Sequence, residues 1–133
     1  MTLVVHKNSP LTKQQIKRIE KWVDDLRSGN SKQTKEVLRR IKEGKVVGYC
    51  CLGRVCEIYK KSTRKGEWGG GAFSLKEEKF GSIGSLRDPV MEWLGIGERF
   101  QGKCIDMNDL ENKSFKQIAK AIEKAVKDNT FHI

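Results

Sequence analysis

The chain has 133 residues, of which 37% are hydrophobic and 33% charged, and its formal net charge is +10. This length is typical of one domain, expected here over residues 1–133, and the short apolar runs exclude a membrane-spanning helix. The first ten residues lack the apolar segment of a secretory signal, so we expect a cytoplasmic protein in which residues 1–10 can be flexible.

Lysine and arginine are concentrated in the first half of the chain. Residues 1–65 contain 17 Lys and Arg against 6 Asp and Glu, whereas residues 66–133 contain 10 against 11. A one-sided excess of cations favours the capture of an anionic partner, which can be a nucleic acid, a nucleotide or an acidic protein. The alternative is a solvated surface that only keeps the protein soluble.

The first predicted helix covers residues 12–28. Thr12 and Gln15 have the spacing of a capping box, and Gly29 is a typical helix end. Apolar residues recur at helical spacing along one face. They are Ile16, Ile19, Trp22, Val23 and Leu26.

A second helix is predicted from Ser31 to about Glu43. On such a helix Lys32, Lys35 and Arg39 share one face, with Gln33 beside them. Three aligned cations repel one another unless an anion offsets them, so this face is the first candidate for ligand contact.

A short buried strand at 45–50 and a helix at 51–61 follow, and Gly53 in that helix indicates a close backbone contact. Residues 62–85 form a Gly-rich loop or hairpin. Arg64 and Lys65 lie close to Trp68 there, a combination that suits a phosphate and a base together. The alternative is a flexible hairpin with four apolar residues on the core. They are Phe73, Leu75, Phe80 and Ile83.

The remaining elements complete a helix-rich α+β domain with a small antiparallel sheet. Asp88 and Pro89 begin a short helix that ends at Gly95, with Val90, Trp93 and Leu94 on its inner face. A second strand is predicted at 103–107, followed by a polar loop at 108–113. Ser114 and Gln117 form another capping box, which begins a last helix at about 114–128.

We expect no enzyme, no cofactor and no metal. Cys50, Cys51, Cys56 and Cys104 lack zinc-ligand spacing, so buried free thiols are favoured. The glycine run is not followed by the Gly-Lys-Ser/Thr of a phosphate-binding loop, and the two histidines are isolated. A cluster of acidic residues could hold Mg²⁺, although such a cluster more commonly belongs to a polar loop. It consists of Asp106, Asp109 and Glu111.

Four pieces of the chain, in this order, resemble a widespread group of small tailed-phage proteins. The central piece is Tyr49-Cys50-Cys51-Leu52-Gly53 with Val55, Cys56 and Tyr59. The others are Trp22–Gly29 with Lys32, Gln33 and Leu38; Pro89-Val90 with Glu92-Trp93-Leu94-Gly95; and Asn108-Asp109 with Lys113-Ser114-Phe115 and Ile118-Ala119. The resemblance covers most of residues 20–125 and leaves out the first ten residues and the Gly-rich loop.

This group is similar to phage proteins that sequester the cyclic-nucleotide signals of bacterial antiviral immunity, the anti-CBASS sponges. The resemblance implies an oligomeric protein that binds a cyclic dinucleotide in the host cytoplasm without cleaving it.

In that hypothesis the cations of the first half hold the phosphates of the ligand. Lys32, Lys35 and Arg39 take this role, assisted by Arg64 and Lys65. Gln33 reads a base edge and Trp68 stacks on a base, while exposed apolar residues near Trp22 or Trp93 join the protomers.

Two other interpretations remain open. A basic phage regulator could bind DNA or RNA through a helix-turn-helix at residues 12–43. An inhibitor could instead dock on an acidic host protein.

Overall fold

Five helices and two antiparallel hairpins make up residues 3–76 and 81–133, the part of the chain that the computed structural model describes. This confirms the predicted helix-rich α+β fold, with two small sheets in place of one. In chain order the elements are α1 (Lys13–Ser28), β1 (Arg39–Lys42), β2 (Lys45–Tyr49), α2 (Cys51–Thr63), β3 (Glu67–Gly69), β4 (Ala72–Ser74), α3 (Asp88–Leu94), α4 (Glu98–Asp109) and α5 (Phe115–Lys127). Within the described ranges, no helix is long and apolar enough to cross a membrane.

The first and last helices begin where their capping residues predict. Thr12 and Ser114 each accept a hydrogen bond from the third helical residue, whose glutamine side chain bonds back to the cap. The apolar faces of α1 and α5 pack against each other. Trp22 is fully buried and makes an edge contact with Phe131, whose ring centroid is 6.4 Å away. Helical periodicity together with caps was therefore sufficient to predict α1 and α5.

Helix α2 is the centre of the core, and eight of its thirteen residues are buried. A Cβ atom placed on Gly53 would lie 1.8 Å from the main-chain oxygen of Leu38. That oxygen also accepts a hydrogen bond of 3.2 Å from the main-chain N–H of Cys50. The close backbone contact predicted at Gly53 is thus confirmed, and it fixes the segment that leads into β1.

The helix predicted from Ser31 to Glu43 is wrong. Residues 31–38 are irregular, and main-chain hydrogen bonds join Lys32 and Thr34 to Tyr49. β1 pairs antiparallel with β2, and the turn residues Glu43 and Gly44 both have positive φ. Long-range pairing overrides the weak helical pattern here, which removes both the predicted row of cations and the second helix of a helix-turn-helix.

Two strand predictions also need correction. Residues 103–107 belong to α4, where burial recurs at Phe100, Cys104 and Asn108 with the four-residue spacing of a helix. Strand β2 forms as predicted but only one of its five residues is buried, and Val46 is 45% exposed.

The short helix α3 ends at Gly95 as predicted, whereas its N-cap is Arg87, one residue earlier than expected. Val90 and Leu94 are buried on its inner face, and Trp93 is only half-buried.

The Gly-rich segment contains a hairpin, β3–β4, whose inner face is the Trp68–Phe73 pair. Phe73 is fully buried and Leu75 is half-buried, which agrees with the hairpin alternative. Ile83 is 56% exposed and does not pack on the core as predicted, while Phe80 lies outside the described residues.

Candidate anion-binding site

The seven predicted ligand-binding side chains do not line one recess. Gln33 and Lys35 lie beside the loop between α4 and α5, and Lys32 is exposed on the irregular segment. Arg39 and Trp68 are in direct contact with each other. Arg64 and Lys65 border a different cleft. The structure therefore brings together two pairs from the predicted set.

The amide of Gln33 is fully engaged within the protein. Its Nε2 donates to Oδ1 of Asn108 at 2.9 Å and to the main-chain oxygen of Lys113 at 2.8 Å. Its Oε1 accepts from the main-chain N–H of Phe115 at 3.0 Å. Because reading a base edge would require breaking these bonds, Gln33 is a brace between the irregular segment and α5.

Asn108 is the buried centre of the same network. Its Oδ1 also accepts from the main-chain N–H of Cys51, and its Nδ2 donates to the main-chain oxygen of Thr34. Asn108 was predicted to lie in a polar loop, whereas it is a buried residue of α4. An asparagine at a core-facing helical position is the signal that could have indicated a buried network.

Arg39 and Trp68 hold the β3–β4 hairpin against the core. The guanidinium carbon of Arg39 lies 4.6 Å from the indole centroid, and its Nε and Nη2 donate to the oxygen of Gly70 at 3.0 and 2.7 Å. The indole also contacts Tyr49 and Phe73, and its N–H donates to Glu57. A base cannot stack on the face that Arg39 covers, so both side chains position the hairpin.

The contacts continue from the hairpin into the helices. Arg54 lies over the ring of Tyr49 at 4.7 Å and donates to both carboxylate oxygens of Asp25 at 2.8 Å. We call Asp25, Arg54, Tyr49, Trp68 and Arg39 the side-chain stack. The hydrogen bond to Asp25 raises the pKa of Arg54, and burial followed by the charge of Glu57 raises that of Tyr49. A lone arginine in the apolar run of α2 was the sequence signal for this buried pair.

Two clefts border the hairpin. The base cleft, about 370 Å³, has cations at Arg64, Lys65 and Lys76 and one acid, Glu67. The tip cleft, about 320 Å³, has cations at Arg39 and Arg40. The other residues of the two clefts are Gly66, Ser74 and Leu75 at the base, and Val37, Ile41, Gly69, Gly71, Ala72 and Ile83 at the tip.

The two clefts lie at opposite ends of the hairpin. Glu67 and Gly69 are two residues apart on β3 and therefore lie on the same face, opposite Trp68. A Cβ atom at Gly69 or Gly70 would meet nothing within 4 Å, so the backbone of the tip is open to a ligand. The site predicted from the sequence lacked Arg40 and Ile83, which tertiary contacts bring to the hairpin, and Lys76, which follows the end of β4 by two residues.

The four cysteines are core residues. All four are free and buried, as predicted. Burial, together with the neighbouring Cys51, raises the pKa of Cys50 to about 12, and burial also raises that of Cys56. In residues 3–76 and 81–133, no group of three or more His, Cys, Asp or Glu side chains could hold a metal ion. Asp109 instead accepts hydrogen bonds from the main-chain N–H of Glu36 and from Nδ2 of Asn108.

The protomer contacts were predicted at exposed apolar residues near Trp22 or Trp93, and both tryptophans pack within the protein. The buried Trp22 donates its indole N–H to the main-chain oxygen of Cys51 at 2.9 Å. Trp93 lies beneath the guanidinium of Arg18 at 4.8 Å and against Tyr59 at 5.2 Å. Trp22 is therefore a core residue and not a surface contact.

A family model described as a domain of unknown function (DUF8296) matches residues 12–126, so the chain belongs to that family. No curated protein and no solved structure matches the chain.

Proposed function

We propose that this member of the family binds an anionic, phosphate-bearing ligand across the β3–β4 hairpin and does not cleave it. The single observation that carries the proposal is the pair of cation-bordered clefts at the two ends of one glycine-rich hairpin. A cyclic dinucleotide is the first ligand to test, because it carries two phosphates and because the sponge resemblance names it. The role of a phage immune-signal sponge in the host cytoplasm belongs to the same proposal.

The electrostatics of the two clefts favour phosphate. Five cations border them against the single carboxylate of Glu67, on a chain of net charge +10. Arg40 and Lys65 are exposed, so a ligand phosphate can reach their charged groups without displacing core side chains. Hydrogen bonds from such cations to phosphate are about twice as strong as neutral ones.

Apolar side chains at the tip cleft can receive a base. Ile83 is 56% exposed, and Val37 and Ile41 are half-buried beside it. These residues replace Trp68 as the expected base contact, because Arg39 covers the indole. The side-chain stack holds the hairpin in place before the ligand arrives, which reduces the entropy cost of binding.

Native mass spectrometry with a panel of cyclic nucleotides, followed by calorimetry, tests this proposal. We expect stoichiometric binding, homo-oligomeric complexes and intact nucleotide recovered after denaturation. Lys65→Glu/Lys76→Glu should weaken binding at least about tenfold, since each charged contact is worth about 1.5–3 kcal/mol. Lys13→Glu/Lys17→Glu on the exposed side of α1 makes the same change of net charge and should leave affinity within about twofold.

Three outcomes would contradict the proposal. A linear product would identify an enzyme. Equal losses of affinity in the two double variants would show that binding depends only on general charge attraction. If the protein retained no nucleotide of the panel, cyclic nucleotides would be excluded as its ligands.

A second candidate function is nucleic-acid binding by the β1–β2 ribbon. Its exposed residues Arg40, Lys42 and Lys45 surround a two-residue turn, and a two-stranded ribbon fits the major groove of DNA. A duplex binder with about six phosphate contacts loses roughly a thousandfold in affinity between 50 and 200 mM salt, far more than a two-phosphate ligand. Lys42→Glu/Lys45→Glu would abolish duplex binding and leave nucleotide binding intact.

A further inference from the structure

A separate groove of about 760 Å³ lies along the outer face of α5, between that helix, the end of α4 and the N-terminal segment. We call it the lysine groove, and it shares no residue with the two hairpin clefts. Its lining combines apolar side chains with lysines. The lining residues are Val4, Met107, Lys113, Gln117, Lys120, Ala121, Glu123, Lys124, Lys127 and Asp128.

The charge of the lysine groove is positive after the carboxylates that form ion pairs are taken into account. Glu123 pairs with Arg27, and Asp128 pairs with Lys124. Three lysines remain whose side chains have no ion-pair partner among the described residues. They are Lys113, Lys120 and Lys127. With four lysines against two carboxylates, the lining of the groove therefore carries a net positive charge.

The floor of the groove is apolar. Val4 is 65% exposed, and Met107 and Ala121 are half-buried next to it. Lys120, Lys124 and Lys127 are spaced i, i+4 and i+7 on α5 and lie on one side of it. Their alkyl stems extend the apolar surface while the ammonium groups stay at the rim.

We propose that the lysine groove docks an acidic amphipathic helix of another protein. Apolar side chains at i, i+3 and i+4 of such a helix would cover Val4, Met107 and Ala121, and flanking carboxylates would pair with the three free lysines. Charge complementarity favours this occupant over the same groove of a second copy, because the lysines of the two grooves would face each other. The apolar floor disfavours a nucleic-acid backbone.

Docking on this groove is independent of the ligand proposed for the hairpin. The probe is a synthetic peptide of about 18 residues, or five helical turns, with leucines on one face and glutamates beside them. A scrambled peptide of the same composition removes the amphipathic pattern and keeps the charge. Fluorescence anisotropy reports affinity, and ¹⁵N NMR of the whole chain reports the location.

The amphipathic peptide should bind at least about tenfold more tightly than the scrambled one and shift the amide signals of Val4, Met107 and Ala121. Lys120→Glu/Lys127→Glu should weaken binding at least about tenfold, and Lys13→Glu/Lys17→Glu by no more than about twofold. Circular dichroism of each variant distinguishes loss of the binding surface from loss of the folded structure.

Equal binding of the two peptides, or equal losses in the two double variants, would overturn the proposal in favour of general charge attraction. Signals that shift only with vesicles containing anionic lipid, and not with the peptide, would instead assign the groove to a membrane surface. Absence of any peptide binding by the folded native chain would also overturn it.

Discussion

The two hairpins differ in how they join the rest of the molecule. The β3–β4 hairpin has only three residues in each strand, yet Phe73 is fully buried and Trp68 belongs to the side-chain stack. The β1–β2 hairpin is longer, and Arg39 and Tyr49 at its open end belong to the same stack, but its turn and Val46 are exposed. Strand length therefore does not decide which hairpin is held firmly, whereas side-chain contacts to the helices do.

This difference separates the two candidate functions. A hairpin that is already fixed against α2 presents its cations at constant spacing, which suits a compact ligand with two charges. A ribbon with a solvent-exposed turn can enter a groove of nucleic acid. Changes confined to the exposed turn of β1–β2 should leave the β3–β4 hairpin unchanged.

The largest effect is expected at Phe73. Phe73→Ala should lower the free energy of unfolding by about 3–5 kcal/mol, since it removes a buried ring and leaves a cavity. Val46→Ala on the exposed hairpin should change it by no more than about 0.5 kcal/mol. Urea denaturation measures both, and similar values for the two variants would contradict the difference between the hairpins.

Gly53→Ala should cost about 1–3 kcal/mol or more, because the new Cβ would overlap the main-chain oxygen of Leu38. The matched control is Gly102→Ala in α4, where a Cβ meets nothing within 4 Å. That change should be neutral or stabilise the protein by up to about 1 kcal/mol. Equal melting temperatures of the two variants would show that the segment before β1 does not depend on α2.

Gln33→Ala should lower the free energy of unfolding by about 1–3 kcal/mol, since it leaves buried partners of the amide without hydrogen bonds. Gln14→Ala, on the exposed side of α1, should have no measurable effect. Thermal denaturation with and without nucleotide distinguishes a structural role of Gln33 from a role in recognising a base. A stable Gln33→Ala variant that has lost nucleotide affinity would restore the role predicted from the sequence.

A smaller effect is expected from pH. Because the pKa of Cys50 is raised from 9.0 to about 12, its buried thiol contributes fully below pH 9 and the contribution is lost as pH rises toward 12. Stability should fall by about 1 kcal/mol between pH 9 and 10, and Cys50→Ala should reduce that slope. An identical slope in native and variant proteins would show that the thiol ionises without penalty.

Local patterns predicted α1, α2, α3 and α5, but neither α4 nor the contacts that shape the candidate site. The capping boxes at Thr12 and Ser114 involve residues three positions apart, so they are visible in the sequence. The partners of Gln33 are 75 to 82 residues away, and no local pattern indicates them. The row of Lys32, Lys35 and Arg39 was wrong because strand pairing with β2 overrode a weak helical period.

Only part of the candidate site could be predicted from the sequence, because the rest depends on contacts between separate segments of the chain. Arg64, Lys65 and the glycine run are close in sequence, and they do border one hairpin. Arg40 borders that hairpin next to Arg39, which bonds to Gly70, 31 residues away, and Ile83 follows Ser82, which pairs with Phe73 of β4.

The most direct test of the hairpin as a ligand site is a ¹⁵N NMR titration of the full chain with the cyclic dinucleotide that mass spectrometry retains. We predict that the amide signals of residues 64–72 and 39–41 shift together and saturate at a fixed stoichiometry. Shifts confined to the β1–β2 turn or to α5, or no shift with any nucleotide in the panel, would contradict the account.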